Sequence, residues 1–258
     1  MMTDDDVVAA LRAAGCVFAE DEAALLRESA DSNADLERML RLRVEGLPLE
    51  RILGWAEFRG LRIAVAPAVF VPRRRTEWLA ERAIALSGDG SIVLDLCCGS
   101  GAIAASIAAQ VPGADVYASD IDPVAAAVAR HNVGAANRVF EGDLFDALPA
   151  FLRGRVNVLV ANAPYVPTDE VRYMPTEARV YEAIAALDGG VDGLDVQRRV
   201  VAGASEWLTE TGWLLIETSE RQAPLTAGAF DAAGFTCVIE RDESCDATIV
   251  VGRHRRGV

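Results

Sequence analysis

From Ile92 onward the chain repeats one unit, a short apolar run followed by a stretch with apolar residues at helical spacing. The spacing predicts strands at Ile92–Leu96, Asp115–Ser119, Val156–Ala161, Trp213–Thr218, Phe235–Glu240 and Ala247–Gly252, with a short one over Arg138–Glu141. It predicts helices at Ala102–Gln110, Pro123–Val133, Val196–Leu208 and Pro224–Ala233. Parallel strands need crossover helices, and here strands and helices alternate with short connections. The expected fold is therefore α/β, a doubly wound, mostly parallel seven-stranded sheet. The last two strands, with only Arg241–Asp246 between them, must pair antiparallel or sit apart.

A different pattern precedes this unit. Val7–Ala14, Glu20–Glu28 and Ala34–Val44 read as helices, and Gly46 and Pro48 stop the third. Phe58–Val65 alternates around Arg59-Gly60, and with Ala68–Val71 it is expected to form a β-hairpin that Pro72 ends. Thr76 is the expected N-cap of a helix running to Leu86. The boundary falls at Pro72: a small N-terminal helical domain with a hairpin over 1–72, and the α/β domain over 73–258.

Charge narrows the partners. The formal net charge is −14 and every basic residue is an arginine, with the densest cationic cluster at Arg73-Arg74-Arg75. Such a surface repels phosphate backbones, so general nucleic-acid binding is disfavoured. The five cysteines include no Cys-x-x-Cys spacing, which argues against a disulfide framework and against a metal site. No apolar run approaches the roughly 18 residues of a membrane span. The acidic N-terminus lacks the basic-then-apolar order of a signal peptide. A cytoplasmic protein is expected, with a monomer as the default.

Four strand ends carry polar or glycine residues suited to ligands, and in open α/β sheets ligands sit at that edge. The first runs into Asp95-Leu-Cys97-Cys98-Gly99-Ser100-Gly101, where Gly99 and Gly101 permit positive φ and close backbone approach. No lysine follows, so this is no phosphate-binding P-loop, and the third glycine of a dinucleotide fingerprint is missing. The second ends in Ser119-Asp120-Ile121-Asp122-Pro123. Asp120 suits a ribose, whereas Asp122 before a proline reads as a helix N-cap. The third ends at Gly142-Asp143-Leu144, an acid for an amino group beside an apolar side chain for a ring. The fourth, Val156–Ala161, stops at Asn162-Ala163-Pro164-Tyr165.

These segments resemble class I S-adenosylmethionine-dependent methyltransferases. More narrowly, the chain resembles the HemK/PrmC family of protein-(glutamine N5) methyltransferases, whose members modify peptide release factors. The likeness includes Arg51–Gly60, Val71–Glu77, Tyr181–Gly190, Gly193–Asp195 and Glu217–Gln222. It implies a Rossmann-like methyltransferase fold and S-adenosyl-L-methionine as cofactor. It implies that Cys97 to Gly101 wrap the methionine and ribose, with Asp95 and Ile121 in the same motifs. Asp120 would hold the ribose, and Asp143 with Leu144 would face the adenine. Asn162 to Tyr165 would bind the substrate glutamine and carry catalysis, with Asn162 also beside the cofactor.

Three departures point to a divergent branch. Asn-Pro-Pro-Tyr becomes Asn162-Ala-Pro-Tyr165, and Pro-Arg-Pro-Glu-Thr-Glu becomes Pro72-Arg-Arg-Arg-Thr-Glu77. The glycine expected after the fifth strand is absent from Glu217-Thr218-Ser219. A protein glutamine, in a release factor or another protein, is the expected acceptor. A nucleic-acid base, a small-molecule or peptide nitrogen, and a non-catalytic cofactor-binding role stay open as alternatives.

Overall fold

The computed structural model describes residues 2–254, the side chains of residues 176 and 177 excepted. Helices α1 (Asp4–Ala13), α2 (Ala19–Ser29), α3 (Asn33–Val44) and α4 (Leu49–Leu53) form the N-terminal unit. The Thr3 hydroxyl accepts the Asp6 amide, and the Asp6 carboxylate accepts the Thr3 amide, which closes the start of α1. Val7, Leu11, Leu26, Leu36 and Met39 make a core belonging to this unit alone. The short α4 is an addition to the expected elements, ended by Gly54 in the left-handed region at φ 79°.

A hairpin follows, β1 (Trp55–Phe58) against β2 (Leu61–Ala64). Its two-residue turn has Arg59 at φ 51° and Gly60 at φ 78°, the pair of positive angles that matches the twist of the strands. Ala68–Val71 does not join it, contrary to expectation. Pro67 has no N–H to give a ladder, and Ala68 at φ 65° turns the chain away to a single bridge with Glu182. Phe58 and Ile63 of the hairpin pack into the core of the large sheet rather than onto the helices before them.

The remaining elements are α5 (Thr76–Leu86), β3 (Ile92–Leu96), α6 (Ala102–Gln110), β4 (Asp115–Asp120), α7 (Pro123–Val133) and β5 (Val139–Glu141). Then come β6 (Val156–Ala161), α8 (Thr176–Tyr181), α9 (Asp195–Trp207), β7 (Leu208–Glu217), α10 (Ala223–Ala232), β8 (Phe235–Asp242) and β9 (Ala247–His254). The sheet has seven strands in the order β5-β4-β3-β6-β7-β9-β8. All neighbours are parallel except β9, which runs antiparallel to both β7 and β8; of the two arrangements the short final connection allowed, the last two strands take the paired one. This is the doubly wound fold expected from the alternation.

Both faces of the sheet are covered, which is why its strands are apolar on both sides. One face packs Val93, Val158 and Val160 against α5, α6 and α7. The other packs Leu94, Leu159 and Ile216 against Trp207 and Phe230 of α9 and α10. Each such side chain removed from water contributes roughly 1.5–3 kcal/mol. Among the described residues no helix is long and apolar enough to cross a membrane.

The order reverses between β3 and β6, since β4 and β5 lie to one side and β6 and β7 to the other. Leu96 pairs with Ser119 on one side and Ala161 on the other, so the carboxyl ends of three strands finish level. One close approach sets the geometry behind that edge. Gly101 caps α6 at φ 75°, and a Cβ there would lie 2.9 Å from the Ala129 Cβ of α7. Gly101→Ala should therefore cost about 2–4 kcal/mol, from left-handed strain plus overpacking. Urea denaturation without ligand checks this; a loss below about 1 kcal/mol would mean α6 and α7 are free to separate.

Candidate active site

The level strand ends open onto a cavity of about 500 Å³. Its floor comes from Cys97 to Ser100, Asp120 to Asp122, Asp143, Leu144 and Asn162 to Tyr165. Its roof comes from Val69, Phe70 and Pro72 of the linker and from Ala183 to Leu187. All the expected site residues meet here except Asp95 and Gly101, which stand behind the wall. Gly101 makes room for α7 rather than for a ligand.

The turn after β3 is wound left-handed at Cys97 (φ 56°) and Gly99 (φ 54°). That winding aims the Gly99 N–H at Asp120, which accepts it through Oδ2 at 2.8 Å. Asp120 Oδ1 accepts the Asp122 N–H at 2.9 Å. Burial raises the Asp120 pKa, and these two amides oppose the rise. Each oxygen keeps a lone pair for a further donor. Asp122 caps α7 through the Val124 amide, the structural part expected of it. Asp143 pairs with Arg199 at 2.8 Å on an exposed rim, while Leu144 is held at φ 48° in the cavity wall.

Asn162 follows the last residue of β6, and its Nδ2 donates to Thr76 Oγ1 at 3.2 Å. Ala163 is buried, and neither its N–H nor its carbonyl meets a hydrogen-bond partner among the described residues. Gly189 and Gly193 press on the next two peptides, where a Cβ would lie 2.6 Å from the Pro164 carbonyl and 2.3 Å from that of Tyr165. Gln222 Nε2 donates to the same Tyr165 carbonyl at 2.8 Å. The backbone of this segment is thus clamped from behind.

Thr76, Arg75 and Glu217 are residues that reading the sequence did not place in the site. Thr76 is not an N-cap: α5 starts at Thr76 itself after a cap at Arg75, and the hydroxyl serves Asn162 instead. Glu217 ends β7 with only 1% of its surface exposed. Its Oε1 accepts Tyr165 Oη at 3.3 Å and Arg75 Nε at 3.4 Å. Burial raises the Glu217 pKa, against which Arg75, Thr76 and Tyr165 act. The Tyr165 phenol is pushed up by burial and by the Glu217 charge. The sequence did flag the Arg73–Arg75 cluster and the Glu217 segment, but nothing local pairs residues 142 positions apart.

The methyltransferase small domain model matches residues 76–192. The chain is 40% identical to a release factor glutamine methyltransferase of Geobacter sulfurreducens, over 82% of this chain and 75% of that one. It is 34% identical to the enzyme of the same name from Deinococcus radiodurans, over 84% of this chain and 80% of that one. The chain belongs to the release factor glutamine methyltransferase family. Among solved structures, a methyltransferase from Pyrococcus furiosus matches with a TM-score of 0.57 at 16% identity, over 75% of this chain and 89% of that one, a likeness of fold.

Set in this family, Arg75 stands where the family pattern has an acid. Its partner is the buried Glu217, so the departure supplies a counter-charge inside the methyltransferase fold. Asp95 has no such partner. It is wholly buried, its Oδ2 accepts the Ala104 amide at 3.1 Å, and its Oδ1 has no partner. Burial pushes its pKa to about 8. An acid raised on folding stabilises the protein below its unfolded value, and that contribution drains away as pH climbs through the folded one. The stability of the wild type relative to Asp95→Asn should therefore fall between about pH 4 and pH 8. Denaturation curves of both proteins across that range, without cofactor, measure the slope; parallel profiles would show that Asp95 is ionised in the fold.

Proposed function

We propose that the chain transfers the methyl group of S-adenosylmethionine to the side-chain amide nitrogen of a glutamine in a peptide release factor. The supporting observation is a pair of acceptors. Asn162 Nδ2 donates to Thr76 Oγ1, and Asn162 and the next residue, Ala163, both line the cavity, where the Asn162 side-chain oxygen and the Ala163 carbonyl have no hydrogen-bond partner among the described residues. Two adjacent acceptors fit the two N–H groups of one primary amide. The names of the relatives supply the rest of the reading, namely a glutamine and a release factor.

The residues at hand fit the cofactor. A cavity of about 500 Å³ is in the range for a ligand of nucleoside size. The left-handed Cys97–Gly99 turn exposes backbone for close approach, and Asp120 offers two lone pairs of the kind that accept ribose hydroxyls. Leu144 and Ile121 offer apolar surface for a base, with Asp143 beside them. When bound, S-adenosylmethionine supplies a methyl group activated by its sulfonium charge.

The chain's own part is positioning. An amide nitrogen is a poor nucleophile because its lone pair is delocalised into the carbonyl. Asn162 Oδ1 and the Ala163 carbonyl would each accept one N–H and so fix the direction of that lone pair. Each bond contributes only about 1 kcal/mol net, but alignment can lower the barrier by roughly 7 kcal/mol. Tyr165 and Pro164 would close the pocket, and residues 1–72 would meet the body of the protein substrate. A nucleic-acid base is disfavoured by the net charge of −14.

Purified release factor, labelled cofactor and mass spectrometry of the modified peptide test the reading. Asn162→Ala should nearly abolish glutamine methylation and leave cofactor affinity within a few-fold. Asp120→Ala should chiefly raise the cofactor dissociation constant by calorimetry. Undiminished turnover in the first variant would sink the amide-binding assignment, and an unchanged constant in the second would sink the ribose role.

Ala163 tests the backbone part separately. Its N–H makes no bond that proline would remove. Ala163→Pro should keep methylation within a few-fold of wild type in the same assay. A large loss would show that the room beside Ala163, and not its carbonyl, is what the substrate uses.

A further inference from the structure

Among the described residues, none before Ala68 lines the cavity. The segment Arg51–Gly60 carries part of the family likeness and yet contributes no lining residue. Arg51 nonetheless reaches toward the site. It lies in the short α4 of the N-terminal unit, which Gly54 ends. Its guanidinium leaves that unit and gathers three backbone carbonyls from two other segments. Nη1 donates to Ala66 at 2.9 Å, and Nη2 donates to Val69 at 3.0 Å and to Tyr181 at 2.5 Å. The Val69 and Tyr181 carbonyls have no other donor among the described residues.

Those carbonyls belong to the two halves of the cavity roof. Val69, Phe70 and Pro72 form one half, and Ala183 to Leu187, just after Tyr181, form the other. A seam joins them. The Ala183 N–H donates to the Ala68 carbonyl at 3.1 Å, and Glu182 pairs with Arg73 and accepts the Val71 N–H at 3.4 Å. At its far end the second half is tied to the acceptor segment, where the Val166 N–H donates to the Leu187 carbonyl at 3.0 Å. The first half comes down to the floor, since a Cβ on Gly99 would lie 4.0 Å from the Phe70 Cβ. A guanidinium is planar and rigid, so carbonyls gathered on it are held at a fixed spacing.

We propose that Arg51 is a positioning residue for the cofactor: it holds the two halves of the roof together over the cavity, so that a side chain of the N-terminal unit sets how tightly the α/β unit keeps its cofactor. The inference rests on the reading of this cavity as the S-adenosylmethionine site. Arg51 acts through the Val69 and Tyr181 carbonyls and does not itself line the cavity.

Without the guanidinium, two carbonyls lose their donor and the seam opens more readily to water. A bound cofactor must then close the roof as well as fill the cavity, and its apparent dissociation constant rises as the closed fraction falls. A roof closed about a tenth of the time weakens the cofactor about tenfold. Saturating cofactor restores closure, so KM for the cofactor rises while kcat is kept. A side chain with a merely structural part would lower the melting temperature and leave that split unmoved.

Calorimetry with S-adenosylhomocysteine on the full chain tests this, with Asp120→Ala measured alongside. Arg51→Met keeps the length and removes the donors. It should raise the dissociation constant, and KM for S-adenosylmethionine, about tenfold or more, with kcat within a few-fold of wild type. Arg51→Lys should fall between, because an ammonium cannot span all three carbonyls, and it carries the same test should Arg51→Met fail to fold. Without ligand, the Ala183 N–H should exchange faster in Arg51→Met by NMR while the amides of β3 and β6 keep their protection. An unchanged dissociation constant in both Arg51 variants, with binding weakened in Asp120→Ala, would overturn the proposal. Unchanged binding in all three variants, with fast Ala183 exchange in Arg51→Met, would support the hold on the roof and refute the cofactor reading of the cavity.

Discussion

The level ending of three parallel strands is the constraint on which the site depends. Leu96 is paired across to Ser119 and to Ala161, and each strand ends within a residue of that line. Because side chains alternate, slipping one strand by a single residue would exchange its two buried faces. Both faces are filled here, so register is fixed by packing on each side. Cys97, Asp120 and Asn162 then come side by side without any contact among themselves having to specify it. The cavity is a consequence of how the core packs.

That arrangement forces acids into dry surroundings, and each is handled differently. Asp120 takes two turn amides and keeps spare lone pairs. Asp95 takes one amide from the start of α6, where the helix dipole helps, and is left raised and partly unpartnered. Glu217 recruits a full charge from Arg75, together with two hydroxyls. In a chain with no lysine this partner is a guanidinium, which bonds through several N–H groups and cannot escape by losing its proton. Glu217 is buried whereas the Arg75 side chain stays 41% exposed, so losing Arg75 would leave a buried carboxylate short of a counter-charge, and the network is also a structural commitment.

The sheet was legible because each strand is a short apolar run and each helix a periodic one. Val156–Ala161, Ala102–Gln110 and Pro123–Val133 begin and end where the pattern does. Reading failed where a local signal had a distant use. Thr76 looks like a cap from its neighbours alone, yet its hydroxyl belongs to Asn162, 86 residues away. Ala68–Val71 is apolar enough for a strand, but Pro67 and the positive φ of Ala68 send it to Glu182 instead. The strand-end motifs were visible singly; the layer behind them, Thr76 against Asn162 and Arg75 against Glu217, exists only once α5 lies beside β6 and β7.

The roof of the cavity belongs to the linker more than to the sheet. Arg51 Nη1 donates to the Ala66 carbonyl at 2.9 Å, and its Nη2 reaches the carbonyls of Val69 at 3.0 Å and Tyr181 at 2.5 Å. Glu182, whose side chain is 2% exposed, pairs with Arg73 and faces the Val71 amide. The segment ending in Ala183–Leu187 is therefore fastened to the residues that join the helical unit to the α/β unit. Pulling them apart would strand a buried carboxylate and unpair carbonyls at once, a far larger loss than any exposed ion pair represents. The two walls of the cavity accordingly differ in kind. The floor is set by strand register, whereas the roof is set by charges and carbonyls gathered around two arginines.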